Sequence, residues 1–112
     1  MPSKTLIAAA YKPVILSILQ AGESYGYQII KKVRNASGGK LEWPSSLLYP
    51  VLHRLEKEGL IQSQWKLSEK GRMRRTYRIT ELGQKELSAE KQLWFNVHNT
   101  LIKFWKTAEV MD

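Results

Sequence analysis

The sequence predicts a mainly helical α+β fold, with helices first, a β-hairpin after them and one long helix at the end. Three observations carry this. Apolar residues recur at helical spacing in three segments before residue 58. Two β-prone runs, residues 61–67 and 75–80, flank a polar loop containing Gly71. From Glu81 onward a helical pattern continues for roughly 30 residues without a proline. A length of 112 residues favours one integrated domain, with residues 1–80 as its body and 81–112 as a tail helix.

The first segment, residues 5–20, places Val14, Ile15, Ile18 and Leu19 on one face. Pro13 favours the first turn of a helix, so the firm part is expected to start near Lys12. Residues 8–11 would then form a separate helical piece before a kink. Gly22 ends the segment. The second is expected to begin at Ser24, whose hydroxyl suits an N-cap, and to stop at Gly38 and Gly39. Residues 41–43 read as a brief strand.

The third segment takes Ser45 or Ser46 as its cap, and Leu48, Val51, Leu52 and Leu55 face the core at i, i+3, i+4 and i+7. Pro50 lies early enough to remove only one backbone bond. In the hairpin, Ile61, Ser63, Trp65 and Leu67 share one side, while Gln62, Gln64 and Lys66 share the other. The loop, residues 68–74, is hydrophilic and basic, which puts Arg72, Arg74 and Arg75 at the hairpin tip. Thr80 reads as the N-cap of the last helix, with Glu81 in the first turn, where negative charge is favourable. Gly83 weakens that turn.

The tail has a heptad seam. Leu87, Trp94, Leu101 and Ala108 recur every seven residues, and Val97, Phe104 and Met111 fall three after the last three of them. So small a body cannot cover a helix this apolar, and a second copy is the economical cover. A homodimer is therefore expected, with Leu87, Trp94, Val97, Leu101, Phe104 and Ala108 at its interface.

Charge is uneven. Residues 1–80 carry 14 Lys and Arg against 5 Asp and Glu, a net +9, whereas residues 81–112 carry 4 against 5, a net −1. The basic excess on the body points to a polyanion such as nucleic acid. There are no cysteines, which excludes disulfides, thiolate zinc sites and a cysteine nucleophile, and fits a reducing, cytoplasmic location. No signal peptide is expected, because residues 6–10 are too short an apolar run, and no run approaches the ~18 residues of a membrane span.

His53 and His98 lie on different elements, without metal-ligand spacing. No phosphate-cradling glycine loop is present, and no base is placed beside Ser45 or Ser46. Neither an enzyme, a cofactor nor a metal is expected.

Double-stranded DNA suits the named parts. Ser45, Ser46, Tyr49, Pro50 and His53 lie on the outward side of the third segment, toward its N-terminal half, the part that a recognition helix presents to base edges and phosphates. Arg72, Arg74 and Arg75 would bind phosphate or enter the adjacent minor groove. Tyr27 and Lys31 on the second segment are further candidates. Lys31, Lys32 and Arg34 equally suit the C-terminal end of a helix dipole. An architectural DNA-binding protein without an operator remains open, as does a ligand- or protein-binding module with an incidental basic face.

At this point the residues resemble a family. Tyr25-Gly26-Tyr27 with Ile29 and Ile30, Leu48-Tyr49-Pro50 with Leu52, Arg54-Leu55-Glu56, Gly59-Leu60-Ile61, Arg74-Arg75, Tyr77, Ile79-Thr80 and Gly83 are similar to the PadR family of bacterial transcriptional regulators, over about residues 13–85. The resemblance implies a winged helix-turn-helix with a C-terminal dimerisation helix, and usually repression released by a small ligand. The single short tail helix is similar to the compact subgroup, which includes multidrug-sensing repressors. There a tryptophan on that helix stacks flat aromatic ligands at the dimer centre. Trp94 stands at the matching place, and Tyr11, Ile15 and Val97 are its candidate neighbours. A tryptophan at a heptad a position is also ordinary core, so both readings stand.

One departure matters. The family often has Thr just before Leu-Tyr-Pro, and here Leu47 stands there, so no operator preference is carried over. The expected function is a homodimeric, sequence-specific repressor. Its two recognition helices would read a pseudo-palindrome about 34 Å apart, and a planar aromatic effector would release it.

Overall fold

The computed structural model describes residues 4–111, and the side-chain surroundings of residues 7–106. The chain order is α1 (Lys4–Ala21), β1 (Ser24–Tyr25), α2 (Gly26–Ala36), α3 (Ser45–Lys57), β2 (Ile61–Leu67), β3 (Met73–Ile79) and α4 (Glu81–Met111). The three strands form one antiparallel sheet in the order β1-β3-β2. This is the winged helix-turn-helix, mainly α with a small sheet, that the sequence predicts.

One core holds the body together. Ile15, Leu16 and Leu19 of α1 meet Ile29 and Val33 of α2, and Leu48, Val51, Leu52 and Leu55 of α3. Ile61, Tyr77 and Leu87 close the cluster. The α3 stripe is buried as its spacing requires, and each side chain of this size contributes about 1.5–3 kcal/mol by leaving water.

Several expectations are corrected. α1 is one continuous helix with Pro13 inside it, not a piece and a kink. Proline removes a single backbone bond there, while burial of Ile15, Leu16 and Leu19 holds the helix as a unit. Ser24 caps nothing. It is a buried strand residue paired with Tyr77, and its hydroxyl accepts a hydrogen bond from Lys32 Nζ at 3.0 Å. The cap of α2 is Tyr25, without a side-chain bond. Residues 41–43 make no strand. The Leu41 N–H bonds to Ser37 Oγ at 2.9 Å, and Trp43 is buried as an anchor, its ring edge-on to Tyr11 with centroids 4.8 Å apart. Neither Ser45 nor Ser46 caps α3. Pro44 holds that position with extended backbone, and its carbonyl accepts from the N–H groups of Leu47 and Leu48 at 3.0 Å each.

The start of α4 follows the expected pattern and explains its glycine. Thr80 Oγ1 accepts from the Gly83 N–H at 3.0 Å. A Cβ on Gly83 would collide with the Leu60 carbonyl and press on Ile79. Glycine is what lets α4 approach the sheet, and the loss of helix propensity is the cost of that approach. α4 then runs beside α1, where Lys12 Nζ meets Glu86 Oε1 at 3.0 Å and Lys91 Nζ donates to Gln20 Oε1 at 3.1 Å. The Glu86 carboxylate holds the Lys12 ammonium pKa above its usual value. Among the described residues, no helix is long and apolar enough to cross a membrane.

Candidate nucleic-acid interface

The outward side of α3 is built by what its inward side buries. With Leu48, Val51, Leu52 and Leu55 fixed in the core, 3.6-residue periodicity turns Ser45, Ser46, Tyr49, Pro50 and His53 to solvent, and all five are exposed. Because no side chain caps this helix, the N–H groups of Ser45 and Ser46 and both serine hydroxyls remain available to an anion. Tyr49 crosses to the start of α2 and lies directly over Gly26, where a Cβ would overlap its ring and hydroxyl. Tyr27 and Lys31 are exposed on the adjoining turn of α2, the Lys31 ammonium 5.5 Å from the Tyr27 ring centre.

The wing, the hairpin of β2 and β3, meets this surface, but not as expected. β3 begins at Met73, so only Arg72 lies in the loop; Arg74 and Arg75 are strand residues on opposite faces. The ladder extends this far because Lys66↔Arg74 and Leu67↔Met73 still pair, and the turn is closed by the Ser68 N–H to the Arg72 carbonyl at 2.7 Å. Arg74 stacks on Tyr25, its guanidinium 3.7 Å from the ring centre. Arg75 turns toward α3, donating from Nε to Ser63 Oγ at 2.8 Å and from Nη2 to Glu56 Oε1 at 3.3 Å. Tyr25, Tyr27, Tyr49, Trp65, Arg74 and Arg75 line one depression of about 350 Å³ between α3 and the wing.

Glu56 is the residue that the sequence reading undervalued. Its carboxylate accepts from the Ser63 hydroxyl at 2.5 Å and the Ser63 N–H at 2.9 Å, and pairs with Arg75. These hydrogen bonds, Ser63 foremost, hold its pKa below the ordinary carboxylate value, with Arg75 adding to the effect. The clip ties the end of α3 to β2 and β3 and so fixes the angle of the wing. Its one sequence signal was a serine seven residues beyond a glutamate. Burial raises the Tyr77 phenol above its usual range.

The sequence pattern of the "Transcriptional regulator PadR-like family" matches residues 15–89, from the core of α1 through the hairpin into α4. The chain belongs to this family. PadR-like regulators bind DNA and control transcription, and they are not enzymes. A transcriptional regulator from Clostridium thermocellum is similar over 93% of this chain and 98% of its own, with TM-score 0.82 and 33% identity. A PadR-like transcriptional regulator from Bacillus cereus matches with TM-score 0.81 and 30% identity, over 90% of this chain and 96% of its own. The Mycobacterium tuberculosis transcriptional regulator Rv3488 is 44% identical over 45 residues, 40% of this chain and 41% of that protein.

The tail of this PadR-like chain divides in two. Leu87 was expected at the dimer seam, but it is only 1% exposed within one chain and belongs to that chain's own core. Gly83 draws the first turns of α4 close enough to bury it. Farther along, Leu93, Phe95, Val97, Leu101, Phe104 and Trp105 are exposed, and Trp94 is half-buried. The side chain of Ala108 lies outside the described residues, as does that of Met111.

Trp94 lines a groove of about 580 Å³ with Val14, Ile18, Val33, Leu87 and Phe95, and Lys32 and Lys91 also border it. The expected neighbours differ. Ile15 is fully buried in the core, and α1 presents Val14 and Ile18 to the groove instead. Tyr11 faces Trp43 and lines a separate groove of about 850 Å³ with Ile7 and Leu41. Val97 is exposed one turn beyond the groove.

Proposed function

We propose that this regulator is a sequence-specific repressor that binds double-stranded DNA as a homodimer, residues 1–80 reading the duplex and residues 81–112 joining the copies. The observation that carries the reading is the outward half of α3. Ser45, Ser46, Tyr49, Pro50 and His53 are exposed together at an uncapped helix N-terminus, beside a depression lined by Arg74 and Arg75. In the proposed complex α3 enters the major groove, Arg72 and Arg74 hold flanking phosphates, and Tyr27 and Lys31 touch the backbone near the start of α2. Arg75 has a different part. Its pairing with Glu56 and Ser63 makes it chiefly a strut for the wing.

The exposed apolar run of α4 supports the homodimer, since a second copy would cover Val97, Leu101 and Phe104. Trp94 would then stand at the edge of a groove large enough for a planar aromatic effector. The Lys32 and Lys91 side chains along it favour a phenolate or aromatic carboxylate over a cation. Such a ligand would release DNA by favouring a copy-to-copy geometry that does not match the duplex.

The test is selection of duplexes from a random pool by the full-length chain, followed by gel shift. Recovery of a pseudo-palindrome, displaced by a planar phenol that also quenches Trp94, supports the whole reading. Binding with no sequence preference would make the protein architectural, and no shift at low salt would remove DNA as the partner.

A further inference from the structure

The wing carries an apolar patch that the chain itself leaves open. Trp65, Leu67 and Met73 are 59%, 69% and 57% exposed. The register pairs Leu67 with Met73 and Trp65 with Arg75. Directly paired residues and their alternate neighbours share a face, so all three lie on the side of the hairpin that carries Ile61, Ser63 and Tyr77. At its base that side is covered by the body, where Ile61 and Tyr77 are buried and Ser63 is clipped to Glu56 of α3. Toward the tip the same side emerges beyond α3 and remains uncovered.

The setting decides what would cover it. Between residues 65 and 75 the basic side chains are Lys66, Lys70, Arg72, Arg74 and Arg75; Lys66 pairs with Glu23 and Arg75 with Glu56, which leaves Lys70, Arg72 and Arg74 against the single local acid Glu69. Another copy of this net cationic tip would be repelled, and a purely apolar partner would leave Lys70, Arg72 and Arg74 unused. A polyanion with an apolar interior answers both: the minor groove of a duplex, walled by phosphates and lined by deoxyribose and base edges.

We propose that Leu67 and Met73, backed by Trp65, form a wedge that enters the minor groove and partly unstacks one base step while α3 occupies the neighbouring major groove. This rests on the DNA-binding reading above and adds a second source of sequence preference. Flexible pyrimidine–purine steps open most easily, so the wedge selects them at flanking base pairs that receive no hydrogen bond.

The full-length chain and its Leu67→Ser/Met73→Ser variant are titrated onto a duplex that the wild type selects, with 2-aminopurine at the flanking steps, at two salt concentrations. The proposal expects at least roughly tenfold weaker binding by the variant at both salts, the effect of withdrawing even one buried side chain of this size. It also expects an unchanged salt slope and loss of the 2-aminopurine rise seen with the wild type. Arg72→Ala should instead lower the slope by about 0.9 per protomer, about 1.8 for the dimer. A Leu67→Ile/Met73→Leu variant, which keeps the apolar volume, should bind like the wild type.

Equal affinity of the serine variant, or tight wild-type binding with no fluorescence rise, would overturn the wedge while leaving the DNA reading intact. So would a serine variant that loses self-association but keeps DNA affinity, because the patch would then be a contact between copies. A wild type that binds no duplex at all would remove the DNA reading, and the wedge with it.

Discussion

α3 and α4 are both amphipathic, yet one chain satisfies only the first. The α3 stripe, Leu48, Val51, Leu52 and Leu55, disappears into the body, and what α3 leaves outside is chiefly polar: hydroxyl, phenol, imidazole and backbone N–H in its first half, and the charges of Arg54 and Lys57 toward its end. The α4 stripe is divided. Leu87 is taken into the same core, but Leu93, Val97, Leu101 and Phe104 stay in water. A helix whose apolar side is already covered offers its remaining side for polar recognition. One whose apolar side is bare calls for another apolar surface. The contrast is the ground on which DNA is proposed for the first helix and a second protomer for the second.

The widest break in this comparison should come from charging the bare stripe. Leu101→Lys combined with Phe104→Lys should weaken self-association by at least on the order of a thousandfold, because a two-fold interface loses each contact twice. Sedimentation equilibrium would then show single protomers whose body retains its helical circular dichroism. Next comes the covered stripe. Leu52→Ala should destabilise the fold by about 2–5 kcal/mol in urea unfolding, wherever the tail is engaged.

A smaller effect tests the polar side of α3. Ser46→Ala and Tyr49→Phe should each weaken operator binding by about 1 kcal/mol per protomer, roughly thirtyfold for the dimer, with no change in melting temperature. Tyr49→Phe keeps the ring over Gly26, so its effect isolates the hydroxyl.

The smallest sharpens the join between α3 and the wing. The Glu56 carboxyl is held below its ordinary value of 4.5, so the stability it contributes is present above that pH and lost as pH falls through the lowered folded value. Wild type should therefore lose stability more steeply below about pH 4.5 than Glu56→Gln does, and acid titration followed by circular dichroism measures the difference.

Much of this arrangement could be read in the residues, for a physical reason. Local periodicity fixes which face of α3 and of α4 is apolar, and the Thr80–Gly83 start of α4 is a contact between near neighbours. What could not be read depends on partners far along the chain. β1 is two residues long and exists only because β3 offers an edge more than 50 residues later, Ser24 pairing with Tyr77 and Tyr25 with Thr76, so Ser24 looked like a cap. Arg74 and Arg75 looked like tip residues because the loop is polar throughout; the ladder persists to Leu67↔Met73 and turns them to opposite faces. Leu87 fits the heptad as well as Leu101 does, and only the close approach permitted by Gly83 separates the buried one from the bare one.

Hydroxyl-radical footprinting on a selected duplex tests most directly that paired α3 helices read DNA. Two protected segments centred about 34 Å apart, one helical turn, are the predicted result, and both should vanish with Leu101→Lys/Phe104→Lys. A single protected segment, or even protection along the whole duplex that survives the tail substitution, would contradict the account.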